Sequence, residues 1–72
     1  VQLSDMEYRI LTALAAGRQS KEISATVGRS RATVETHVRL LFARFDARSR
    51  AHLVALAIAA KVIDPPGDAP FG

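Results

Sequence analysis

Four segments with apolar residues at helical spacing, each opened by a serine, predict an all-α fold: a four-helix bundle with helices over residues 5–16, 21–27, 31–45 and 50–62. Three observations carry this prediction. Ser4, Ser20, Ser30 and Ser49 stand where N-caps belong, Gly17 and Gly28 stand where helices stop, and Val34, Val38, Leu41 and Phe45 repeat at the interval that lines one side of a helix.

The first helix opens on "LSDMEYRI". Ser4 can accept from the backbone N–H of Glu7 while the Glu7 carboxylate reaches back to Ser4, and Leu3 and Tyr8 occupy the positions of a hydrophobic staple. The helix therefore starts at Asp5, carries Ile10, Leu11 and Leu14 toward the core, and ends at Gly17. The second helix takes Ser20 as N-cap, turns Ile23 and Val27 inward and stops at Gly28. At about two turns it is too short to stand alone and must pack on its neighbours. The third restarts after only Gly28 and Arg29, with Ser30 as its cap, so this pair has the sequence form of a helix-turn-helix.

At about 100° per residue, Val34, Val38, Leu41 and Phe45 of the third helix share one stripe. Opposite them lie Ala32, Thr36, Arg39 and Ala43, with Arg31 and Glu35 on one flank and Thr33, His37 and Leu40 on the other. That outer face is narrow, with small residues where bulk would obstruct approach. It suits a groove better than open solvent. Asp46 breaks the run, and Ser49 caps a fourth helix that between Ala51 and Ala60 is apolar nearly all round, interrupted only by His52. Either a second copy or a neighbouring domain covers its spare side, or its alanines simply tolerate exposure. The segment 64–72, "DPPGDAPFG", reads as a flexible tail behind a single domain over residues 1–63.

A 72-residue chain buries only about 60% of its unfolded surface and has no room for a deep pocket. It has no cysteine for a disulfide or a thiolate metal site, no apolar run long enough to span a bilayer and no signal-peptide order, and is expected to be cytoplasmic. Because it opens on Val1, a piece of a longer chain is expected. Charge is uneven along it. Residues 18–50 hold eight Lys/Arg against three acids, a local +5 within an overall +3. A basic middle suits an anionic partner, or else is a merely alkaline, solvated surface.

A helix-turn-helix in a basic middle argues for duplex DNA, whose major groove, about 12 Å wide, admits one α-helix. Arg39 can donate two parallel bonds to guanine O6 and N7, and Thr36 can offer a methyl to thymine or a hydroxyl bond. Ser20, Lys21, Arg31 and Thr33 open the second and third helices, where free N–H groups and the helix dipole already favour phosphate. Arg29, Arg48 and Arg50 fit phosphate contacts or structural ion pairs. Glu35 can accept from cytosine N4 or orient Arg31 or Arg39, and the orienting role is the better fit. His37 reads as a packed or phosphate-bonding histidine, since His52 is the only other one and a metal site has too few ligands.

The run "LSDMEYRILTALAAGRQSKEISATVGRSRATVETHVRLLFARF", followed by "SR" and an alanine-rich helix ending "KVI", resembles the DNA-binding domain of LuxR-type (GerE-like) bacterial transcription regulators over about residues 3–63. Its markers are Leu3, Glu7, Leu11, Gly17, Lys21-Glu22-Ile23, Thr33-Val34, His37 and Ser49-Arg50. The resemblance implies a third helix in the major groove and a fourth that joins two copies as a homodimer on an inverted repeat, here through His52, Ala55, Leu56 and Ala59. It also implies an amino-terminal sensor or receiver domain and no cofactor. Three departures stand out. Arg29 replaces an aliphatic residue after the turn glycine, Leu40 sits at a position often basic and forgoes a phosphate contact, and Phe45-Asp46-Ala47 replaces the usual Leu-Gly-Val link. Rival readings are a sigma-factor-like promoter reader and a protein-interaction module that uses the apolar fourth helix. An enzyme is the least suited class, because no nucleophile set, phosphate-cradling loop or metal spacing appears.

Overall fold

The computed structural model describes residues 3–64, which form four α-helices: α1 (Asp5–Ala15), α2 (Ser20–Val27), α3 (Arg31–Phe45) and α4 (Arg50–Ala59). The expected tail over 64–72 lies, beyond Asp64, outside the described residues. α1 and α3 pack on each other, and α2 and α4 each pack on this pair but not on one another.

Apolar spacing translates directly into the core. Ile10, Leu11 and Leu14 of α1, Ile23 of α2, Val34 and Leu41 of α3, and Leu53 and Ala57 of α4 are buried together with Ile63. Val27, Val38 and Phe45 are only half-buried at its margin. Among the described residues no polar side chain is buried in this core, so the energetics of the fold are those of apolar burial on a small scale.

The caps set the start of each helix. At α1 the capping box is complete: Glu7 N–H donates to Ser4 Oγ (3.1 Å), and Ser4 N–H donates to Glu7 Oε1 (2.9 Å). Leu3 leans on the core, but Tyr8 stays exposed, so the expected staple is half made. Ser30 and Ser49 accept from Thr33 N–H (3.1 Å) and His52 N–H (3.0 Å) as anticipated.

Three boundaries differ from the sequence reading, the first by a single residue, since α1 ends at Ala15 and not at residue 16, with Ala16 as its C-cap. α2 begins one residue earlier, with Gln19 as N-cap and Ser20 inside the helix, because the Glu22 carboxylate accepts from Gln19 N–H (3.0 Å) and closes the turn there. α4 ends at Ala59 and not at residue 62. Lys61 adopts a left-handed conformation (φ 60°), and Val62 N–H donates back to Ala57 O (3.1 Å). This reversal delivers Ile63 to the core, a contact a continued helix would forgo.

Candidate nucleic-acid interface

The turn between α2 and α3 is what presents α3. Gly28 is left-handed (φ 71°), and Gly28 N–H and Arg29 N–H both donate to Ser24 O, at 3.0 and 3.2 Å. Ser30 then caps α3, and its hydroxyl also donates to Thr33 Oγ1 (3.0 Å), so Thr33 is held against the cap. Arg29 is exposed.

With Val34 and Leu41 buried, the opposite face of α3 turns outward. Ala32, Thr36, Arg39, Leu40 and Ala43 are all exposed, and His37 is half-buried at the edge of this face. The Thr36 hydroxyl donates to Ala32 O (3.0 Å), which occupies its proton and leaves the methyl as the free end of the side chain. Leu40 is 53% exposed, far more than a leucine in a core stripe would be.

The eight cations of residues 18–50 divide into two groups. Arg44 bonds Glu7, Arg31 pairs with Glu35 (3.4 Å), Arg18 pairs with Glu22 (3.8 Å), and Arg50 donates to Arg18 O (2.8 Å). Lys21, Arg29, Arg39 and Arg48 are exposed and take part in no ion pair among the described residues. The second group is the one available to an anion. The first-turn N–H groups of α2 and α3, at Ser20, Lys21, Arg31 and Ala32, have no carbonyl to reach within their helices and add positive potential beside it.

Ser20, Glu35 and Arg50 meet along one shallow groove floored by Leu14, Val38 and Phe42, on the flank of α3 and not on its outer face. Glu35 there pairs with Arg31 at 3.4 Å, both side chains being exposed. Two roles were not visible in the sequence. Arg50 ties the start of α4 to the α1–α2 loop through a carbonyl, which no side-chain spacing signals. His52 uses Nδ1 to accept from Arg48 N–H (3.0 Å), so its ring closes the cap of α4. The bond starts at the residue before the cap and spans four positions, so it is not the reciprocal box that Ser4 and Glu7 form.

On α4, Ala51, Ala55 and Ala59 form an exposed ridge, Leu56 is half-buried beside it, and Val54 and Ile58 lean on the core. The spare face of this helix is thus alanine, and the large side chains are mostly covered. Among the described residues no cluster of His, Asp and Glu could hold a metal ion, and no helix is long and apolar enough to cross a membrane.

A family model describing bacterial regulatory proteins of the luxR family, GerE, matches residues 1–57. No curated protein and no solved structure matches the chain.

Proposed function

The chain belongs to the luxR family of bacterial regulatory proteins, and from that premise we propose that it is the sequence-specific DNA-binding output domain of a cytoplasmic transcription regulator, with α3 in the major groove. The observation that carries this reading is the outer face of α3: exposed along its length, small at Ala32 and Ala43, and bearing Arg39 free of any ion pair among the described residues. An unpaired guanidinium between small residues can reach guanine O6 and N7 with both of its parallel donors.

The remaining groups position the helix. Lys21, Arg29 and the first turns of α2 and α3, with Ser20, Arg31 and Thr33, meet phosphates on either side of the groove, and His37 adds a contact from the edge of α3. Glu35 restrains Arg31, and Arg50 serves chiefly to hold α4 against the α1–α2 loop. Two copies pair through the alanine ridge of α4, with Ala55, Leu56 and Ala59 in the seam and His52 at its edge, so that two α3 helices meet an inverted repeat. A sensor or receiver domain amino-terminal to this one supplies the signal.

Selection of bound sites from a random duplex library at two salt concentrations tests the reading. Two related half-sites about one helical turn apart are expected. Arg39→Ala should relax preference at one base position at a cost of about 1–3 kcal/mol, whereas Lys21→Ala should weaken all sequences alike and flatten the salt dependence. Uniform losses from both variants would remove Arg39 from the role of reader.

A further inference from the structure

Leu40 is one of only two large apolar side chains, with Tyr8, that are exposed among the described residues. It lies on α3, one turn after Thr36 and directly after Arg39 in the chain, exposed on the flank of the outer face that also carries Thr33 and His37. Side chains on a helix lean toward its N-terminus, so Leu40 reaches back over the position of Thr36. The Thr36 hydroxyl is bent onto Ala32 O, so the end of Thr36 left available along this path is its methyl. Leu40 and the Thr36 methyl are thus two apolar groups one turn apart on the exposed side of α3, with Thr36 standing between Leu40 and Arg39 around the helix.

An anionic phosphate gains nothing from such groups. The one apolar group that a base edge presents in the major groove is the C5-methyl of thymine. We propose that Leu40 is a specificity-determining residue that packs on a thymine methyl next to the base read by Arg39, so that the preferred half-site holds a thymine beside a G·C pair. This rests on the reading of α3 as the groove-reading helix and adds the base class it selects. Lacking a charge, Leu40 should sharpen sequence preference without steepening the salt dependence.

The test replaces each thymine of the selected site, one at a time, by deoxyuridine, which pairs identically but lacks the methyl. Wild type, Leu40→Ala and Arg39→Ala are titrated on each duplex, and circular dichroism checks that the exposed substitutions leave the fold unchanged. For wild type, one thymine per half-site should show a loss of roughly four-fold, the scale of one buried methyl-sized group. Leu40→Ala should be insensitive to that same replacement, while Arg39→Ala should keep the sensitivity. If no thymine is sensitive, or if Leu40→Ala remains as sensitive as wild type, Leu40 makes no methyl contact and the proposal is overturned. Should Leu40→Ala bind every duplex like wild type, its exposed side chain serves a protein partner instead, which also overturns it. Failure of the underlying reading would look different: wild type itself would then select no sequence.

Discussion

Glu7 serves two partners at once. One carboxylate oxygen accepts from Ser4 N–H (2.9 Å) and the other from the Arg44 guanidinium (2.6 Å). The Ser4 backbone N–H first, and then Arg44, hold its carboxyl below the usual carboxylate range. A group whose folded pKa is depressed contributes stability that is fully present above its unfolded value of about 4.3 and is lost as pH falls through the lower folded value. Acid unfolding of Glu7→Gln should therefore lack the component that wild type shows below about pH 4. A double-mutant cycle of Glu7→Gln with Arg44→Met, followed by urea unfolding at neutral pH, should return a coupling of about 1 kcal/mol, since the pair is only partly shielded. A coupling near zero would leave the capping bonds as the whole contribution. The Ser4–Glu7 half of this arrangement was legible from spacing. Its Arg44 half was not, because the partner is 37 residues away.

The helices share one way of ending. Each of α1, α2, α3 and α4 is followed by a left-handed residue, namely Gly17, Gly28, Asp46 and Lys61, and the next N–H donates back into the last turn, to Ala13, Ser24, Phe42 and Ala57. The first two ends were readable, since glycine advertises the conformation, and Asp46 was readable as a residue that tolerates it. Lys61 carries no such mark, so the end of α4 was placed late. Its Cβ pays a steric penalty on the order of 1 kcal/mol in that conformation. Lys61→Gly is expected to raise stability by about 0.5–1 kcal/mol, seen as a higher urea midpoint with an unchanged slope. An unchanged or lowered midpoint would mean that the lysine side chain contributes more than its backbone costs.

For the whole molecule, the central α1–α3 pair keeps α2 and α4 apart, which separates the surface proposed to read DNA from the surface proposed to join two copies. Among the described residues, Arg50 donating to Arg18 O ties the start of α4 to the loop before α2. Ala55→Gln adds bulk to the α4 ridge without charge and at an exposed position, so the fold should be unaffected. Its affinity for a paired site should fall about ten-fold, a loss of about 1.4 kcal/mol, while affinity for a single half-site stays level. Equal losses on both duplexes in a titration would show that pairing does not run through this ridge.

Helix number, most caps, the core stripes and the outer face of α3 were determined by the sequence alone. These features depend on residues three to four positions apart, where the chain's own geometry fixes the neighbours. Tertiary structure alone decided which cations are free. Arg18, Arg31, Arg44 and Arg50 look like Lys21, Arg29, Arg39 and Arg48 in the sequence, yet the first four are engaged within the fold. It also decided that α4 turns back early to bury Ile63 and that its spare face is alanine. Such outcomes depend on partners brought together across the chain by packing, and a local pattern does not encode their distances.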